Sequence, residues 1–305
     1  MRMNRKGAIG AVLVALALLA AACGSGDGAE PGSGSPVVIG AQDFGESAIL
    51  GEIYRGALAS KGFTASVQPV GGFRDLELAA FESGDINLAA EYAASMLEFL
   101  NGFAGEATGD KNETTDLLNE QLEAINLVAL EPSDAIDTNA FVITAETSSA
   151  LGITTLSDLA AKGADLILGG PPDCETNAFC IPGLASVYGV DMATNFQPLD
   201  AGQITVQALD AGQIDVAVLF STSGIIADKG WVLLEDDKSM LAADNVVPVL
   251  TMELKDEYGS SIEDVLNDVS AKLTTADLTA MNKRFDIDNE DADAIAADWL
   301  AANGF

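Results

Sequence analysis

Three cysteines and 47 acids are the chemically versatile side chains of this 305-residue chain, which has no histidine. Without an imidazole, Ser-His-Asp and Cys-His catalysis and the usual zinc ligand sets are excluded. No Gly-x-Ser-x-Gly elbow and no Gly-Lys phosphate loop occurs either. A carboxylate enzyme would need two cleft acids with split pKa values, and no spacing nominates such a pair. No cofactor or metal site is expected. Cys174 and Cys180 enclose five residues, a spacing that is not Cys-x-x-Cys. In an exported chain it predicts a disulfide closing a short loop, worth at most roughly 2 to 2.5 kcal/mol of loop-closure entropy.

Export is what the amino terminus predicts. Arg2, Arg5 and Lys6 precede an apolar run from Ala8 to Ala22 that ends in small residues at Cys23, the pattern of a secretory signal. Small residues followed by Cys resemble a bacterial lipobox, in which the Cys becomes the lipidated first residue of the mature chain. Ala20 stands where Leu is usual, with Leu19 one step back. Residues 1–22 are read as signal peptide and 23–36 as lipidated Cys23 and a flexible Gly/Ser-rich leash. The chain is then a lipid-anchored, exported protein on the extracytoplasmic face of a membrane. No other run approaches the length of a membrane span.

The net charge of −33 becomes −36 once three basic residues and no acids leave with the signal. Such a field repels nucleic acid and can draw in cationic solutes, and it also keeps a surface soluble. About 269 residues follow the leash, enough for two lobes.

The elements that would position a site read as repeated βα units. Val37 to Gly40 is a strand, Ala41 to Gly45 a polar turn, and Ile49, Leu50, Ile53, Ala57 and Leu58 recur at helical spacing up to Gly62. Ligands in such sheets sit beyond the carboxyl ends of the strands, which places Gln42 and Asp43 at a cleft. Thr64 to Val70 and Ile86 to Ala90 read as further strands, with Leu76 to Phe81 as a helix between them. In the second half, Thr154 to Leu159 starts a helix with a capping Thr, Asp165 to Leu168 is a strand, and Ile214 to Phe220 another. Residues 81–88 and 209–216 match as helix end, Gly and apolar strand, so the halves look built alike. Three helical patterns fill the tail from Ser261, with Trp299 as a core anchor.

Val38-Ile39-Gly40, Gly71-Gly72, Gly84-Asp85-Ile86, Glu91-Tyr92, Ile214-Asp215-Val216, Phe220-Ser221-Thr222, Leu234 to Lys238 and Pro248-Val249, with the loop Gly169 to Tyr188, resemble the glycine betaine, choline and proline-type substrate-binding proteins of ABC importers. The resemblance runs in order through the chain after the leash. It implies an α/β, two-lobed periplasmic-binding-protein-like fold of type II, with a ligand cleft between lobes that close by hinge motion. Lobe 1 would be 37–138 plus 245–305 and lobe 2 139–244, with crossovers near Asp137 to Ala140 and Ala242 to Val246. Its partners would be a small-molecule solute and an ABC permease, and the receptor itself a monomer that is not an enzyme.

The family holds quaternary ammonium groups in an aromatic cage and a carboxylate with basic and hydroxyl donors. By this resemblance Tyr92 and Phe220 keep two cage walls, while Asn139 and Asp244 stand where relatives have Tyr. Gln42 and Asn177 replace basic clamps, Ser95 keeps a hydroxyl, and Phe73 with Arg74 is new after Gly71-Gly72. Asp137 and Thr222 complete the expected ligand-binding set. These departures predict a solute drifted from betaine: choline or another amine, or a neutral polyol or sugar meeting Asp137, Asn139, Asn177, Asp244 and Asn245. Two alternatives stay open, a site where Asn139 and Asp244 face solvent, and a surface sensor without transport.

Overall fold

The computed structural model describes residues 29–305 apart from 73, 200, 201 and 243. The signal-peptide reading, Cys23 and Phe73 lie outside the described residues. No helix among the described residues is long and apolar enough to cross a membrane.

The chain runs β1 (Val37–Gln42), α1 (Gly45–Ser60), β2 (Ala65–Gly71), α2 (Arg74–Ser83), β3 (Leu88–Tyr92), α3 (Ala93–Leu100), α4 (Lys111–Leu122) and β4 (Leu127–Ala129). It continues through β5 (Asn139–Ile143), α5 (Ala145–Leu151), α6 (Leu156–Lys162), β6 (Leu168–Gly170), α7 (Ile181–Gly183), β7 (Phe196–Pro198), α8 (Gln203–Asp210), β8 (Val216–Phe220), α9 (Gly224–Asp228) and β9 (Val232–Leu233). The last part is β10 (Val246–Thr251), α10 (Met252–Tyr258), α11 (Ser260–Ser270), α12 (Thr275–Asp286) and α13 (Ala292–Asn303). Two five-stranded sheets result, ordered β2-β1-β3-β10-β4 and β7-β6-β8-β5-β9. In each, one long-range strand, β10 or β5, runs antiparallel to its central neighbour.

Both sheets are apolar on both faces because helices cover both. Along β10, Val246 and Leu250 pack with α1, α11 and α13, while Val247 and Val249 pack with α3 and α4. Along β8, Val216 and Val218 face one cluster and Ala217 and Leu219 the other. This is the period-two alternation of a strand between two covered faces. Trp299 packs in the first cluster, as a core anchor should.

The likeness between the halves holds in detail. Gly84 and Gly212 each turn a helix into a strand with φ of +78° and +65°, which glycine adopts without strain. A Cβ on Gly40 would lie 2.6 Å from Ile86 Cδ1, and one on Gly169 would lie 2.6 Å from Ile214 Cδ1. The same glycine-to-isoleucine contact thus recurs in each sheet. Tyr92 and Phe220 end the equivalent strands β3 and β8, so the two aromatic positions of the expected cage are counterparts.

Three details differ from the sequence reading. The strand expected at Asp165 to Leu168 lies at Leu168–Gly170, because Asp165 to Ile167 form a turn whose amides are taken by Gly163 O and the Asp215 carboxylate. Residues 29–36, read as leash, are held against the first sheet's unit: Ser35 N–H donates to Glu257 Oε1 at 2.7 Å, and Tyr258 Oη to Ser35 O at 2.7 Å. A further helix, α10, precedes the three tail helices.

The chain passes between sheets twice, and the two passages pair with each other. Ile136 and Asn245 form an antiparallel bridge, and Asp137 N–H donates to Asp244 O at 3.1 Å.

Candidate functional site

The carboxyl ends of β1, β3 and β8 meet at these passages. The polar turn after β1 and the start of α1 bring Glu46 there, the end of β3 brings Tyr92, the residues after β8 bring Thr222, and α12 brings Asn282. Glu46 is 5% exposed and Thr222 1%. Tyr92 Oη donates to Glu46 Oε1 at 2.6 Å and Thr222 Oγ1 to Glu46 Oε2 at 2.7 Å, so one carboxylate ties the two sheets' units together. Asn282 Nδ2 donates to the same Oε2. Burial raises the Glu46 pKa against these three hydrogen bonds, and Asp286 adds to the rise. Burial and the Glu46 charge push the Tyr92 phenol well above its usual range.

The two passages contribute one acid each, in equivalent places. Asp244 takes the Ala94 and Ser95 backbone N–H groups at 2.9 and 3.0 Å and the Ser95 hydroxyl. It therefore caps α3, where a carboxylate satisfies amides without an intrahelical partner. Asp137 takes the Thr222 N–H at 3.2 Å and the Ser221 hydroxyl at 3.2 Å. Ala94 and Thr222 each lie two residues beyond the equivalent aromatics Tyr92 and Phe220, so the acids are related like the strands. Burial raises Asp244 to about 6, and burial with the Glu46 charge raises Asp137 well above the carboxylate range.

Beside Asp244 lies a second acidic group, built around Arg74. Arg74 Nε and Nη2 each donate to Glu91 at 2.7 Å, and Nη1 donates to Ser95 O at 3.1 Å. Gln42 Nε2 donates to Glu77 Oε2 at 3.2 Å, and Glu77 Oε1 is buried without a donor. Burial, with Glu91 alongside, pushes Glu77 well above the carboxylate range, while against its own burial Glu91 is held low by Arg74.

The expected ligand residues separate by position. Tyr92, Asp137, Thr222, Ser95 and Asp244 come together at the passages. Asp244 is buried rather than solvent-facing. Gln42 and Arg74 are bound into the Glu77–Glu91 group. Asn139 and Asn177 bond to the disulfide loop: Asn139 Nδ2 donates to Phe179 O at 3.2 Å, and Asn177 Oδ1 accepts from Phe179 N–H at 2.9 Å. The Cys174–Cys180 disulfide closes that loop. Phe220 is 36% exposed and pairs in register with Asn139.

Sequence reasoning missed Glu46, Phe44 and Asn282. Phe44 is exposed in the turn after β1, its ring 6.4 Å from that of Tyr92. The signal for the first two was present, since both belong to the polar turn and first helical turn after a strand that already marked Gln42 and Asp43. Asn282 had none, because α12 reaches the site only through tertiary packing.

A family model described as the substrate binding domain of ABC-type glycine betaine transport system matches residues 35–302. The glycine-betaine-binding protein of Pseudomonas aeruginosa is 26% identical over 272 residues, 86% of each chain. The glycine betaine-binding protein YehZ of Escherichia coli is 23% identical over 280 residues, 89% of this chain and 92% of the other. The solved structure described as a glycine betaine/carnitine/choline ABC transporter is 23% identical and superposes with a TM-score of 0.72, covering 87% of this chain and 98% of that one. An ABC-transporter choline binding protein in complex with choline, 15% identical, gives 0.61 and covers 88% of both chains. At these identities the structural matches speak to the fold, which is that of two-lobed solute-binding proteins.

Proposed function

This chain belongs to the family of substrate binding domains of ABC-type glycine betaine transport systems, and from that premise we propose that its solute is a small ammonium cation without a carboxylate. As a family member it is a solute-binding protein of an ABC transporter, not an enzyme. One observation carries the choice of solute. Glu46, Asp137 and Asp244 gather at the paired passages, and Arg74 beside them is held on two of its three guanidinium nitrogens by Glu91 and on the third by Ser95 O. A carboxylate-bearing solute such as betaine would meet buried acids and no free guanidinium. It would forgo charge-assisted hydrogen bonds worth roughly 1.5 to 3 kcal/mol each. A cation is favoured by those same acids and by the faces of Tyr92, Phe44 and Phe220, at about 0.5 to 2 kcal/mol per cation–π contact. The polyol or sugar reading is weaker because the Asn139 and Asn177 amides are engaged by the disulfide loop.

The remaining parts of the reading rest on the sequence and the fold. Lipidated Cys23 would hold the receptor at the extracytoplasmic face as a monomer. Lobe 1 (37–138 plus 245–305) and lobe 2 (139–244) would close about the Ile136–Asn245 bridge and deliver the solute to the permease. The strand partition supports these boundaries, since every strand of the second sheet lies within 139–233. Calorimetry with choline, glycine betaine and sorbitol tests the solute. Choline is expected to bind at least tenfold more tightly than betaine, and micromolar betaine binding with none by choline would refute the reading.

A further inference from the structure

Glu46 is a buried carboxylate whose hydrogen bonds come from neutral groups alone: Tyr92 Oη, Thr222 Oγ1 and Asn282 Nδ2. Among the described residues no basic side chain bonds to it. The Asn282 amide has its orientation fixed, because Nδ2 faces three acceptors: Glu46 Oε2, Thr222 Oγ1 at 3.1 Å and Thr222 O at 3.3 Å. Turning the amide over would set Oδ1 against a carboxylate. Asn282 is 6% exposed, and its Oδ1 is left as a buried acceptor without a donor. Such a group carries a desolvation penalty until it is paired.

An acid without a basic partner and an acceptor without a donor therefore share one side-chain cluster. A fully methylated ammonium supplies the charge but has no N–H. A polyol hydroxyl supplies a donor but no charge. A protonated primary, secondary or tertiary amine supplies both. We propose that Glu46 and Asn282 set the solute class, an ammonium that keeps at least one N–H, with that hydrogen directed to Glu46 and Asn282 Oδ1. Thr222 Oγ1, which donates to Glu46, yields its place to the ammonium. Any N-methyl groups turn to Tyr92 and Phe44. This rests on the cationic-solute reading and narrows it.

Calorimetry on the wild-type protein at pH 7 with choline, N,N-dimethylethanolamine, N-methylethanolamine and ethanolamine tests the inference, with glycine betaine and sorbitol alongside. All four cations carry one positive charge and one hydroxyl and differ in their count of N–H groups. At least one N–H-bearing member is expected to bind tenfold or more tightly than choline, the gain of one charge-assisted hydrogen bond. A smaller ratio with choline still binding overturns this inference and leaves the cationic reading standing. Binding of betaine or sorbitol with no response to any of the four overturns the cationic reading itself. Asn282→Leu, checked for an intact melting transition, is expected to shrink the ratio of the best amine to choline below threefold. An unchanged ratio would also refute the role of Asn282.

Discussion

Replacing Asp244 by Asn separates the charge of this buried acid from its shape. The native carboxyl titrates at about 6 rather than at the ordinary 3.8, with burial as the main cause. Its folded-state pKa is raised, so the folded chain holds a proton between these values that the unfolded chain has lost. Stability linked to this group is present in full below the unfolded pKa and is lost as pH rises through about 6. A rise from 3.8 to about 6 corresponds to about 3 kcal/mol. Asn keeps the geometry, since its Oδ1 can accept from Ala94 and Ser95 N–H and its Nδ2 can donate to the Ser95 hydroxyl. Urea unfolding of both proteins from pH 3.5 to 7.5 should give similar stabilities near pH 4, with Asp244→Asn gaining about 3 kcal/mol over wild type by pH 7. Titration of groups remote from Asp244 cancels in that difference. Two parallel curves, or a variant weaker at pH 7, would mean that the α3 amides hold Asp244 ionised and that the burial argument is wrong.

Three further outcomes follow from the same geometry. Glu77→Gln should fold, gain stability relative to wild type as pH rises above the ordinary carboxylate range, and lose the infrared carbonyl band of a protonated acid; a band that persists would place the proton elsewhere. Gly224→Ala sets a Cβ 2.7 Å from Lys283 Cβ and 2.9 Å from Lys283 Cα, so it should force α9 from α12 and weaken solute affinity at least tenfold, with a larger radius of gyration by solution scattering when solute is saturating. Cys174→Ser with Cys180→Ser should lower unfolding free energy by about 2 kcal/mol in urea titration, and an unchanged value would mean the loop is already held by Asn139 and Asn177.

What was legible in the sequence follows the range of the forces involved. Strand and helix periodicity is local, so β1, α1, β8 and the capping Thr155 of α6 could be seen without a structure. The repeat between residues 81–88 and 209–216 was legible because the same local solution, helix end then Gly then strand, was used twice. Its consequence was not legible. Two like units joined by two paired passages bring equivalent positions face to face, which is why Asp137 and Asp244, far apart in sequence, perform one task. Each accepts the backbone N–H two residues beyond an aromatic strand end. Asp244 was placed at the site from the loss of a tyrosine, a substitution seen one residue at a time. Its three hydrogen bonds to the start of α3 come from a helix 149 and 150 residues away in sequence, a distance at which spacing carries no signal. Asn282 entered the site for the same reason. The residues that govern charge in this cleft are therefore set by how the lobes repeat and meet, and an isolated motif in the amino-acid sequence could identify only those already lying next to a strand end.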